Sequence, residues 1–207
     1  MPFLDTIHGR HVFQRRVRVL SNQLSEVIPA NSSVLDVGCG DGLIAHRVLT
    51  LRPDLKLSGI DVFIRPHTHV PVTYFDGHTL PQSDRSVDCV TFIDVLHHTP
   101  DPMRLLQEAA RVARKAIILK EHAAEGLLAG PTLRLMDWVG NARHGVVLPY
   151  NYWSKSEWLN AFEKLHLKIG EWRDQLGLYP IPLNLVFERR LHFVTRLDIT
   201  SAGPPSF

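Results

Sequence analysis

With only two cysteines, Cys39 and Cys89, the chain cannot rest on a disulfide framework. Cys39 falls in a glycine turn and Cys89 in an apolar run, so both are expected to be free thiols in a reducing compartment. No run approaches the ~18 apolar residues of a membrane helix, so no membrane span is expected. The opening residues, Met1-Pro2-Phe3-Leu4-Asp5, lack the basic start and apolar centre of a secretory signal, and a cytoplasmic location is the expectation. Charge of one sign is scarce too: 23 basic against 21 acidic side chains leave a net +2. That small excess argues against a nucleic-acid partner, which calls for a basic face or stripe. Arg10, Arg15, Arg16 and Arg18 do cluster, and are read as the solvated face of an amphipathic helix. No repeat or linker divides the 207 residues, a length that suits one domain.

What the chain does have is the stretch Val34-Leu35-Asp36-Val37-Gly38-Cys39-Gly40-Asp41-Gly42. An apolar run of β-formers breaks into three alternate glycines, and Leu43, Ile44, Val48 and Leu51 then follow a helical period. Strand, tight turn and helix start in this order form the junction at which parallel sheets hold ligands. A dinucleotide fingerprint, G-x-G-x-x-G, would place its third glycine where Leu43 stands. Asp36 and Asp41 flank the turn, and carboxylates repel pyrophosphate but suit a cationic ligand. An NAD-dependent oxidoreductase is therefore the weaker reading.

The remaining chain alternates. Val12 to Ile28 reads as an amphipathic helix ending before Pro29, and the helix from Asp41 stops ahead of Pro53. Strands are expected at Leu55–Asp61, Val70–Gly77, Val87–Asp94 and Ala116–Leu119, with a helix opened by Asp101-Pro102 before the last of these. Pro131 starts a further helix that Gly140 ends, and Ser154-Lys155-Ser156-Glu157 is a capping box. Late strands are expected at Leu167–Trp172 and Phe187–Arg196.

Parallel strands align their carboxyl ends, so Asp36, Asp61, Asp76 and Asp94 should meet at one edge. Asp61 follows Asp36 by 61 − 36 = 25 residues, near the ~20-residue offset at which an acid holds a ribose diol.

From about Ser33 to His122 the pattern resembles the class I, Rossmann-like S-adenosylmethionine (SAM) methyltransferases, most closely the small-molecule branch that includes quinone-biosynthesis enzymes. VLDVGCGDG is similar to motif I and SGIDV to the ribose-binding segment; FDGHTLPQSDRSVDCVTFIDVLHHTPDP is similar to the stretch that ends near a histidine. The resemblance implies that SAM is the cofactor. Asp61 would bind the ribose, Val62 pack beside adenine, and Asp76 with Gly77 recognise the adenine edge. The backbone of Gly38, Cys39 and Gly40 would hold the methionine portion, with Asp36 ordering that loop and Asp94 near its end. It also implies an α/β fold: a single doubly wound, mostly parallel seven-stranded sheet flanked by helices, with a helical lid inserted after strand five. On this reading residues 1–200 form one domain: an N-terminal helix (12–29), a SAM-binding core (33–122), a substrate lid (123–153) and a C-terminal helix with strands (154–197). Residues 201–207 would be a disordered tail.

No N/D-P-P-Y/F motif follows the fourth strand, which disfavours methylation of DNA bases or glutamine. Lys120-Glu121 stands where metal-dependent catechol-type enzymes have Asp-Asn, so no metal is expected. His98 and His122 border the expected cleft, and histidine suits a general base because it titrates near neutrality. Asn141, Arg143, His144, Tyr150, Tyr152 and Trp153 give the lid an aromatic and polar lining, pointing to an aromatic or lipid-like small-molecule acceptor. An aminopropyl transferase and a SAM-binding partner subunit without chemistry are the other readings. The oligomeric state is not assigned.

Overall fold

A computed structural model describes residues 2–141 and 149–200, with side chains described for 11–139 and 149–200. Seven strands form one sheet in the order β3-β2-β1-β4-β5-β7-β6. They are β1 (Ser33–Val37), β2 (Lys56–Asp61), β3 (Val72–Tyr74), β4 (Val87–Ile93), β5 (Ala113–His122), β6 (Leu167–Arg173) and β7 (His192–Ile199). The helices are α1 (Pro2–Val27), α2 (Leu43–Leu51), α3 (Pro102–Val112), α4 (Ala129–Asn141), α5 (Lys155–Lys164) and the single turn α6 (Asn184–Phe187). β1 to β5 pair in parallel, while β7 runs antiparallel to both β5 and β6. The chain reverses its winding where β1 lies between β2 and β4, and a ligand crevice opens at such a point.

Alternation along the strands supplies two cores. Leu35, Val37, Ile117, Leu119 and Phe193 face α3 and α5, where they meet Leu106, Trp158 and Phe162. Val34, Ala116, Ile118 and Val194 face the other way, onto Leu20, Leu24 and Val48 of α1 and α2. Strands covered on both faces read as continuous apolar runs, and this is why β1 and β4 stand out in the sequence. A small third cluster of Ala129, Leu133 and Leu191 seats α4, with Met136 and Tyr152 packed on it.

Element ends moved where tertiary pairing outweighs local pattern. α1 begins at Pro2 rather than near Val12, since proline is tolerated in a first turn. α2 begins at Leu43, because Gly42 takes the left-handed conformation as its N-cap. β5 extends to His122, beyond its apolar run, because β4 and β7 both hydrogen-bond to its polar end. The last strand was expected at Phe187–Arg196. Instead Phe187 N–H bonds to the Leu183 carbonyl and Leu191 N–H to the Glu188 carbonyl, so the chain turns there and β7 starts at His192. The capping box at Ser154 and Glu157 forms as expected. Asn141, Arg143, His144 and the tail 201–207 lie outside the described side chains. Among the described residues no helix is long and apolar enough to cross a membrane.

Candidate active site at the switch point of the sheet

The glycine turn is fixed by its neighbours. Gly38 N–H donates to the Ile60 carbonyl at 2.8 Å, and Gly40 N–H to Asp61 Oδ2 at 2.8 Å. Gly38 has φ +69°, and a Cβ there would come within 2.7 Å of Val95, so β4 closes on the loop only because a side chain is missing. At Gly40 nothing lies within 4 Å of where a Cβ would stand, so this side of the turn is open to a ligand. Asp61 thus faces the turn, its second oxygen accepting from Phe63 N–H at 2.9 Å.

Beyond Asp61, the side chains of Val62, Phe63 and Ile64 are exposed, an apolar ledge at the end of β2. Gly77, at φ +83°, sits against Val62: a Cβ on it would be 3.2 Å from Val62 Cγ1. The β2 and β3 ends therefore converge beside the ledge. Asp76 Oδ1 accepts from His78 and Thr79 N–H, both at 2.7 Å, and these bonds hold its carboxyl below the usual range. Asp36 is buried beneath the turn, accepting from Thr91 Oγ1 at 2.7 Å. Burial pushes its pKa up to about 7; the Thr91 hydrogen bond opposes this and the Asp61 charge adds to it.

Asp94 lies in a second, more deeply charged region. Its carboxylate is bound by Arg16 from α1 and by Lys120 from β5. Burial works against ionisation of Asp94, and the two cations overcome it and hold its pKa well below normal. Next to it, Glu121 accepts from the N–H groups of Val95 and Leu96 at 2.8 and 2.6 Å and from His97 Nδ1 at 2.6 Å. The other His97 nitrogen is 3.4 Å from Asp137 of α4, which also binds the Tyr152 hydroxyl. Burial would lower the His97 pKa, but the Glu121 and Asp137 carboxylates outweigh it and raise it to about 10. Three carboxylates (Asp94, Glu121, Asp137) thus meet three cations (Arg16, Lys120, His97+).

The histidines part company here. His98 is half-buried, and burial together with the neighbouring His97 charge lowers its pKa. His122 is buried, 3.4 Å from His97 Nδ1 and 3.7 Å from Asp94 Oδ1, and burial with the Lys120 charge holds it neutral. In the connection after β5, Tyr152 stacks on His97 with ring centroids 5.6 Å apart, and Trp153 packs on Trp158 at 4.7 Å. Those two aromatics fasten this connection to the core; Tyr150 lies at 5.5 Å under the Arg134 guanidinium.

Asp36, Gly38, Gly40 and Asp61 thus gather around one turn, Cys39 within it, while Val62 and Gly77 meet at the ledge that follows Asp61. Asp94 sits beyond Val95 and is occupied by cations. Sequence reasoning missed Arg16, Lys120, Glu121 and Asp137. Arg16 was assigned to a solvated cluster; its signal was position, since a helix leading into β1 must pass over the strand ends.

A profile of a methyltransferase domain matches residues 8–171. The chain belongs to this family, and its fold is that of the class I, Rossmann-like SAM-dependent methyltransferases. Among curated proteins it is 32% identical over 110 residues to 27-O-demethylrifamycin SV methyltransferase of Amycolatopsis mediterranei, covering 46% of this chain and 40% of that one. It is 30% identical over 94 residues to the ubiquinone biosynthesis O-methyltransferase of Proteus mirabilis, covering 39% and 37%. The matched stretches span less than half of either relative. Among solved structures, a SAM-dependent methyltransferase from Thermotoga maritima superposes with TM-score 0.63 at 18% identity, covering 94% and 96% of the two chains. A Haloferax volcanii methyltransferase solved with its Trm112 activator gives 0.65 at 16%, covering 90% of each. At such identities the likeness concerns the fold.

Proposed function

We propose that this chain transfers the methyl group of SAM to a small-molecule acceptor, most simply at an oxygen. The carrying observation is the Asp61 carboxylate, held by Gly40 N–H beside open glycine backbone and an exposed apolar ledge. Those features fit a nucleoside with a diol, an aromatic base and a cationic amino-acid end. Asp61 would accept from the ribose hydroxyls, Val62 would cover one adenine face, and Asp76 with Gly77 N–H would meet its edge. The backbone at Gly38, Cys39 and Gly40 would receive the methionine portion, and Asp36 beneath it would respond to the positive charge. SAM, when bound, supplies a methyl group on a sulfonium leaving group, so the chain's own task is chiefly to hold the acceptor in line.

Asp94 would act at the methionine end by anchoring α1 through Arg16 over the strand ends. Of the candidate bases, His98 has both the partial exposure and the lowered pKa that proton abstraction needs. His122, buried against His97, would serve as a neutral neighbour of that cation. Although donor atoms of Asp94, His97, Glu121 and His122 lie within 4.8 Å of one another, no metal is required, because Arg16, Lys120 and His97 already match the carboxylate charge. An O-linked, aromatic or lipid-like acceptor draws support from the rifamycin and ubiquinone relatives by their names. Calorimetric titration with SAM, S-adenosylhomocysteine and NAD tests the cofactor. Binding of NAD alone would overturn the reading, and transfer of labelled methyl into a metabolite extract separates an enzyme from a SAM-binding subunit.

A further inference from the structure

Large apolar side chains are exposed together on one face. Leu127, just before α4, is 85% exposed, and Trp138 on α4 is 59% exposed; Ile181 and Leu185 around α6 are 83% and 70% exposed. Leu135 and Val139 of α4 and Val186 of α6 are also exposed. On α4 the inward face is taken by Leu133 and Asp137, and Leu135, Trp138 and Val139 are left exposed on the other side.

These side chains belong to one surface. Arg189 donates to the Val186 carbonyl at 2.9 Å, to the Leu127 carbonyl at 3.3 Å and to Thr132 Oγ1 at 2.9 Å, which ties α6 to the start of α4. On its other side, Ile181 and Leu183 border a groove of about 510 Å³ against His11, Arg15 and Arg18 of α1. The groove runs along the α1 segment that carries Arg16, so the apolar face adjoins the strand ends described above.

Basic side chains outnumber acidic ones on this face. Arg134, Arg189 and Arg190 are exposed there, with His11 and Arg18 across the groove. Of the nearby acids, Asp137 is buried, while Glu188 and Glu125 each accept a backbone N–H, from Leu178 and Lys155, at the edge of the face. Exposed leucines and a tryptophan ringed by arginines are the pattern of an element that lies in a lipid interface, with apolar groups in the acyl boundary and guanidinium groups among anionic headgroups. An apolar interface between copies would not call for this excess of arginine over acid.

We propose that the face formed by α4 and the Ile181–Val186 segment docks on an anionic lipid bilayer, peripherally and without a span. Docking there would place the groove beside α1 at the membrane surface, within reach of a ligand dissolved in lipid. The proposal stands on the surface alone and does not depend on the methyl transfer.

The test is co-sedimentation of the full chain with vesicles of phosphatidylcholine, with and without phosphatidylglycerol, at low and high salt. The chain should pellet with the anionic vesicles, and salt should weaken the binding. L185S/V186S and, separately, W138S should each weaken it about tenfold while leaving the thermal transition in place. R134E should weaken it without removing apolar surface. Failure to pellet, or equal binding to neutral vesicles, would overturn the proposal. So would light scattering that shows a dimer dissolved by the same variants, since a second copy would then be the occupant.

Discussion

Arg16, midway along α1, closes an ion pair with Asp94 at the end of β4, while Lys120 holds the same carboxylate from β5. The N-terminal helix, the fourth strand and the fifth are thereby joined through one carboxylate. Lys120 has no exposed side-chain surface, so its charge depends on that partner. Replacing Asp94 with alanine leaves a buried ammonium unpaired and should cost about 3–5 kcal/mol in denaturant unfolding. The double variant D94A/K120M should recover much of the loss; a D94A protein as stable as the parent would show that the network contributes nothing.

The Asp61 carboxylate is expected to exchange its bonds with Gly40 and Phe63 N–H for ribose hydroxyls, or to share them. Asp61→Ala should weaken SAM binding by about 10- to 100-fold, the worth of one or two charge-assisted hydrogen bonds. Calorimetry measures this directly, and Asp61→Asn should fall between the two.

Asp36, with its pKa raised to about 7, gives a pH dependence whose sign is set. A carboxyl with a raised folded-state pKa retains its proton longer when folded, so its contribution to stability is present at acid pH and lost as pH rises through about 7. A cationic ligand favours the ionised form. SAM should therefore bind more tightly at about pH 8 than at about pH 6, and Asp36→Asn should flatten that profile.

His97 carries the opposite charge and the same direction with pH. Its pKa, raised to about 10 by Glu121 and Asp137, makes its stabilisation complete below the unfolded value near 6.5 and lost as pH climbs through about 10. His97→Gln should lower stability most at neutral and acid pH, and the parent and variant melting temperatures should converge under alkaline conditions.

If His98 removes a proton from the acceptor, His98→Ala should reduce kcat by about 10²- to 10⁴-fold and abolish the acid limb of the pH–rate profile. SAM affinity should be unchanged. A variant with normal turnover and an unaltered profile would mean that orientation alone suffices.

Much of the scaffold was legible because its signals are local. β1, β4 and the glycine turn are short-range patterns of hydrophobicity and backbone freedom, and the caps at Asp101 and Ser154 satisfy N–H groups three residues away. The meeting of Asp36 and Asp61 was legible for a related reason: in a parallel sheet the strand ends share an edge, so the two acids were expected together at the glycine turn. Less local features escaped. Arg16 looked like one arginine of four, and Lys120 and Glu121 looked like the polar close of a strand, because each finds its partner across 78, 26 and 24 residues respectively.

The order of strands and helices, the bare glycine backbone and the acids at the strand ends were thus determined by sequence alone, since each follows from spacing along the chain. Tertiary structure decided which charges were buried and paired. It made His97 a cation and His122 a neutral ring, and it left Leu135, Trp138 and Val139 of α4 exposed. Those outcomes depend on desolvation and on long-range neighbours, and neither is encoded in any short stretch of residues.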